Sequence, residues 1–154
     1  MEFSAELLAK AYEARNGELA WARGDIGAAI EAVVAGREAI LGGEAWVVPG
    51  ANTIVGVIGN HNCEHAVYHW SVPDRQGDEP WPDFVRRSAT IAVRAIDQLA
   101  VEGEVRPDLA AFVRYNLTYV TEAEYGALSP EASPMTIRYA LNRTEIVRAF
   151  LYGL

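Results

Sequence analysis

Residues 44–72, EAWVVPGANTIVGVIGNHNCEHAVYHWSV, decide how the chain folds. They hold two of the 4 tryptophans, all 3 histidines, the only cysteine and the densest β-branched run. Read as strands, the stretch gives AWVV, a turn over Pro49-Gly50-Ala51-Asn52, TIVGVIG, a second turn at Gly59-Asn60, and HAVYHWSV. Read as helix from Asn60 onward, it stacks His61, His65 and His69 four residues apart on one face. Val, Ile, Tyr and Trp favour the pleated surface, Asn60 to Asn62 has turn composition, and Pro73 ends the run, so strands are the expected form. Alternation then sends Ala66, Tyr68, Trp70 and Val72 to a core face, and His65, Val67, His69 and Ser71 to a wetter one.

Upstream, Ser4 caps a first helix carrying Leu7, Leu8, Ala11 and Tyr12 on one stripe, with Asn16-Gly17 as its stop. Glu18 to Trp21 reads as a connection. Asp25 is the expected cap of a second helix, with Ile26, Ala29, Ile30, Val33 and Val34 buried and Gly36 at its end. Ala39-Ile40-Leu41 opens a strand, and Gly42-Gly43 marks a bulge or bend before Glu44.

Downstream, the polar loop from Asp74 to Pro80 leads to Trp81 and to the longest helix, which starts at Pro82 and runs to about Val101. Phe84, Ser88, Ile91, Ala92, Ala95, Ile96 and Leu99 form its apolar stripe. Phe112 to Val120 reads as a strand with Tyr115, Leu117 and Tyr119 on one face. Thr121-x-x-Glu124 is a capping box with Val120 and Tyr125 as a staple, so a short helix starts there. Met135 to Leu141 alternates as a further strand, and Asn142-x-x-Glu145 opens a last helix. The order does not alternate as a doubly wound sheet does. The expected class is α+β in one domain, residues 1–154: an antiparallel meander of three strands plus one or two later strands, with helices mainly on one face. The competing reading is an all-α bundle with 60–71 and 109–120 helical.

A chain of 154 residues, 51% hydrophobic and 22% charged, buries enough surface to need no metal or disulfide staple. No apolar run approaches the roughly 20 residues of a membrane span, so no membrane association is expected. The start of the chain is acidic and amphipathic rather than basic and then apolar, and one cysteine suits a reducing compartment; both imply a cytoplasmic location. A net charge of −8, with Arg86-Arg87 as the only adjacent basic pair, argues against nucleic acid as partner. An acidic surface attracts a basic protein instead. Only Lys10 is a lysine; the other basic residues are arginines.

Together, Gly17-Glu18-Leu19-Ala20-Trp21, Ala28-Ala29-Ile30-Glu31 and Ile40-Leu41-Gly42-Gly43-Glu44-Ala45-Trp46 resemble small α+β proteins of mobile bacterial gene pools. Such proteins are integron cassette products, or immunity proteins that neutralise a secreted toxin. His69-Trp70-Ser71, Trp81 to Ser88 and Tyr119 to Tyr125 carry the same likeness. It implies a non-catalytic binding protein that masks a toxin's active site, with no chemical motif to transfer.

Chemical sites are few. His61, Cys63, Glu64, His65 and His69 form the densest ligand cluster. On a helix the three histidines could share one ion; on a strand His65 and His69 lie about 13 Å apart, leaving only His61, Cys63 and His65 as neighbouring chelators. Ordinary half-buried histidines, and hence no cofactor, are the expectation; a metal-dependent or small-molecule enzyme built on the cluster is the alternative. Cys63 beside His61 or His65 is a weaker candidate nucleophile. Gly42-Gly43 and Gly56-x-x-Gly59 match no phosphate-binding fingerprint. Trp46, Tyr68, Trp70, Trp81, Tyr115 and Tyr119 are core aromatics or the lining of a small-ligand pocket. A basic partner is expected to meet Asp74, Asp78, Glu79, Trp81 and Trp70, where acids flank an aromatic anchor. An uncovered strand edge would favour a homodimer.

Overall fold

The computed structural model describes residues 2–14, 17–48, 56–57, 69–99, 101–103 and 107–128. The turns at Pro49–Asn52 and Gly59–Asn60, the cluster residues His61, Cys63, Glu64 and His65, Tyr68, and the expected strand and helix after Met135 lie outside them. The fold is α+β. Helices α1 (Ala5–Lys10), α2 (Arg23–Ala35), α3 (Trp81–Leu99) and α4 (Glu122–Ala127) accompany one antiparallel sheet. Its strands are β1 (Tyr12–Glu13), β2 (Leu19–Trp21), β3 (Ala39–Val47), β4 (Gly56–Val57), β5 (His69–Ser71) and β6 (Val113–Val120). The all-α alternative is excluded at 113–120, which is strand.

Strand β3 is the axis of the sheet. Along one edge β6 pairs with it from Ala39↔Val120 to Val47↔Val113. The opposite edge is shared: β5 covers Gly42 to Glu44 and β4 covers Trp46 and Val47. In the described residues β4 and β5 both pair with β3 along that edge. Among the described residues β4 lies against the end of β3, and β5 lies against the stretch before it. The glycine pair admits β5. A Cβ at Gly42 would lie 2.4 Å from the Trp70 carbonyl oxygen; one at Gly43 would lie 2.1 Å from that of Asn116 and 2.8 Å from Cζ2 of Trp70. The expected bulge is present too, as a register shift between Ile40 and Gly42.

Helix α1 begins as its sequence indicates, with the Leu7 N–H donating to Ser4 Oγ at 3.2 Å. It stops at Lys10, well short of Asn16, and the chain turns extended at Ala11. Two contacts account for the early end. Trp21 Nε1 donates to the Leu7 carbonyl at 3.0 Å, taking one of the helix's orphan acceptors, and Tyr12 pairs with Ala20. Glu18 to Trp21 is therefore no mere connection; most of it is β2, between β1 and β6. Helix α2 starts two residues before Asp25, which sits in its first turn where a carboxylate suits the helix dipole.

The helices cover one face of the sheet. Ile26, Ala29, Ile30 and Val33 of α2 and Phe84, Ser88, Ala92 and Ile96 of α3 are buried there, with Trp21, Ala45, Trp70, Val113, Tyr115 and Leu117 from the strands. Alternation in β5 holds as far as it is described: Trp70 is buried, with His69 and Ser71 exposed on either side. On the opposite face, Ala20, Trp46 and Val48 form a smaller apolar cluster with Tyr12 and Ala14 against it. The row Tyr12, Ala20, Asn116, Glu44 and His69 crosses the sheet on that face. The capping box forms as expected: Glu124 N–H donates to Thr121 Oγ1 at 3.3 Å, and Thr121 N–H to Glu124 Oε2 at 2.8 Å.

Candidate functional site

The loop expected to meet a partner is built around two arginines. Arg87 grips the Glu79 carboxylate with Nε to Oε1 and a terminal nitrogen to Oε2, both at 2.8 Å, and also donates to the carbonyls of Pro73 and Asp74. Arg75 donates through Nε to the Glu79 carbonyl at 2.6 Å, and its own N–H donates to the Tyr125 hydroxyl at 2.9 Å. The Arg87 hydrogen bonds, aided by the Gln76 N–H, outweigh the partial burial of Glu79 and pull its pKa down to about 2. Glu79 is thus an internal brace of the loop, while Asp74 and Asp78 remain exposed.

Trp81 faces inward. It is 7% exposed, stacks near Phe84 and Tyr125, and donates its N–H to the Arg37 carbonyl at 2.8 Å. The expected surface anchor flanked by acids is therefore not the arrangement present: burial of the ring and a carbonyl just past the end of α2 draw the indole into the core. Trp70 is 8% exposed and sits over Gly43 on the helix-covered face. Tyr115 shares that face with Trp70, whereas Trp46 is on the other and donates to Glu44 Oε2 at 3.0 Å. Among the described aromatics named from sequence, Trp46 is thus separated from Trp70, Trp81, Tyr115 and Tyr119. Of the expected metal cluster, only His69 is described; among the described residues no group of three or more His, Cys, Asp or Glu side chains could hold an ion.

A polar knot absent from the sequence reading ties α2, α3 and β6 together. Arg23 donates to Glu102 Oε2 at 3.1 Å, to the Ile96 carbonyl at 2.8 Å and to the Tyr115 hydroxyl at 3.1 Å. The Tyr115 hydroxyl donates to Glu102 at 2.7 Å. Burial first, and the Glu102 carboxylate second, push the Tyr115 pKa up to about 12, so the phenol stays neutral and its hydroxyl links Arg23 and Glu102.

A concave feature among the described residues lies between α1 and α2. It is an open groove of about 690 Å³. Leu7, Ala28, Ala32 and Ala35 make its apolar floor, and the carboxylates of Glu2, Glu6, Asp25 and Glu31 stand around it. Lys10 spans the two walls, with Nζ 3.3 Å from Glu6 and 3.4 Å from Asp25. Hydrogen bonds to these carboxylates raise the lysine's pKa above its ordinary value. Four acids and one ammonium leave the lining with a formal charge of −3 (−4 + 1). A small-residue floor with an acidic rim can take a slender apolar segment that carries cations along its edges. The signal in the sequence was faint: Glu6 and Lys10 are one helical turn apart, and Ala28, Ala32 and Ala35 share the helix side next to the buried stripe.

No protein-family model matches the chain, and neither a curated protein nor a solved structure shows significant similarity to it. No described helix is long and apolar enough to cross a membrane.

Proposed function

We propose that the protein is a non-catalytic binding protein that receives a basic segment of a protein partner in the groove between α1 and α2. The observation that carries this reading is the groove itself: an apolar floor of Leu7 and three alanines, ringed by four carboxylates. The overall charge of −8 acts in the same direction by steering a cationic partner toward the surface at a distance. The likeness to toxin-neutralising immunity proteins suggests the kind of partner, a basic toxin masked in the cytoplasm. A titration of isotope-labelled protein with an arginine-bearing helical peptide, followed by amide NMR shifts, tests the site. Shifts concentrated in Ser4–Lys10 and Ala28–Gly36 are expected. Shifts centred on Asp74–Pro80 would move the site to the loop, and the absence of shifts at low salt would refute the reading.

A further inference from the structure

We propose that α4 is a releasable strap: it undocks from Trp81 as one unit with the loop that carries Arg75, while the sheet and α3 stay folded. Closed, the strap keeps the Trp81 and Phe84 rings in the core. Open, it uncovers the side of these rings that Tyr125 occupies and frees the Arg75 guanidinium from Glu122.

The hold of α4 on the rest of the fold is narrow. No residue of the helix is buried. It packs on the core through Tyr125, whose ring lies 5.7 Å from that of Trp81 and 5.2 Å from that of Phe84, and through Leu128 just past its end. The ion pair joining Arg75 to Glu122 has side chains 28% and 57% exposed, and such a pair adds little. Six residues are too few for a helix to stand alone, and Gly126 inside it lowers the helix propensity further, so the Thr121–Glu124 box carries much of its definition. The base beneath is held independently. Trp81 is anchored to the Arg37 carbonyl, and Phe84 is fully buried on a helix of 19 residues. A short segment with a half-buried anchor on a well-packed base opens at a lower free energy than the whole molecule unfolds.

The loop is tied to this motion through its backbone. The Arg75 N–H donates to the Tyr125 hydroxyl at 2.9 Å, so a main-chain donor of the loop depends on a side chain of α4. When Tyr125 leaves, that donor passes to water, and the guanidinium, 5.8 Å from the Trp81 ring centre, loses Glu122 in the same step. The Arg75 amide therefore reports on the strap from outside it.

Native-state hydrogen exchange of the full chain, read by NMR at low denaturant, tests the strap. The Arg75, Tyr125 and Leu128 amides bond to the Tyr125 hydroxyl and to the carbonyls of Thr121 and Tyr125. All three are expected to exchange at least about a hundredfold faster than the Ile40 amide, after correction for intrinsic rates. Thr121→Ala removes a hydroxyl that bonds within the capping box and is expected to speed all three about fivefold. Gly126→Ala, whose added carbon meets nothing within 4 Å, is expected to slow all three about two- to fivefold. Far-UV circular dichroism confirms that each variant folds. Protection of these amides equal to that of Ile40 would mean that α4 leaves only when the whole protein unfolds, and would overturn the proposal. A response to the two substitutions confined to Tyr125 and Leu128 would overturn it too, since the loop would then move without the strap, as would no response at any of the three.

Discussion

The hydroxyl of Ser88 accepts the Ile40 N–H at 3.0 Å and donates to the Val85 carbonyl at 2.9 Å. Ile40 stands where the β3–β6 register shifts, so the serine of α3 satisfies a backbone donor beside the bulge. Ser88 is fully buried, and its hydroxyl couples the longest helix to the central strand. Ser88→Ala leaves that N–H without its partner and is expected to cost about 1–3 kcal/mol. Urea denaturation measures it; an unchanged midpoint would show that the bulge is satisfied in another way.

The glycines divide into those that need the space and those that do not. Gly43→Ala forces a methyl group to within 2.1 Å of a backbone oxygen and is expected to cost about 3 kcal/mol or to abolish folding. Gly27, in the middle of α2, has nothing within 4 Å of the added carbon. Gly27→Ala is expected to stabilise the protein by about 0.5–1 kcal/mol through helix propensity. Thermal melts of the two variants should move in opposite directions.

Arg37 is the one described non-glycine residue with positive φ, at 59°. It ends α2 in a Schellman arrangement, with Glu38 N–H donating to the Val33 carbonyl at 3.1 Å and Arg37 N–H to that of Val34 at 2.9 Å. The preceding Gly36 keeps an ordinary right-handed conformation, so the helix has its glycine one position early. Arg37→Gly relieves the left-handed cost and is expected to stabilise by up to about 1 kcal/mol. A lower melting temperature in this variant would mean that the arginine side chain matters more than its backbone.

The Glu79–Arg87 pair sets an acid limit. The folded pKa of Glu79 is about 2, while an unfolded glutamate titrates near about 4.3. Between those values the unfolded chain binds the proton and the folded one does not, so stability rises with pH across this window. The contribution is fully present above about pH 4.3 and is lost as pH falls through about 2. Thermal melts from pH 6 to pH 2 should show the stability gap between wild type and Glu79→Gln closing over that range. A constant gap would show that the carboxylate charge is not what braces the loop.

Elements with long, regular patterns were legible in the sequence. The stripe of α3, the alternation of β6 and the Thr121–Glu124 box each contain enough local signal to define themselves. Strands β1 and β2 do not, having two and three residues. They exist through distant contacts, such as Ala20 pairing with Asn116 and Asn116 Nδ2 donating to the Leu19 carbonyl at 3.0 Å. The return of β5 to β3 was hidden for the same reason: composition marked Gly42-Gly43 as special but not which strand would lie against it. Trp81 shows the limit for sites. Acids around a tryptophan read as a surface anchor, yet the ring's orientation is decided by the Arg37 carbonyl, 44 positions away. The groove arises from the meeting of two helices and so belongs to no single stretch.

The most direct test of the groove as the partner site compares two charge-matched double variants for binding the arginine-bearing peptide across a salt series. Glu2→Gln/Glu31→Gln removes two carboxylates from the groove; Asp74→Asn/Asp78→Asn removes two from the loop that the sequence favoured. The groove variant is expected to lose about tenfold in affinity at low salt, and the loop variant less than about twofold, with the difference shrinking as salt rises. Equal losses in the two variants, or a larger loss in the loop variant, would contradict the groove as the partner site.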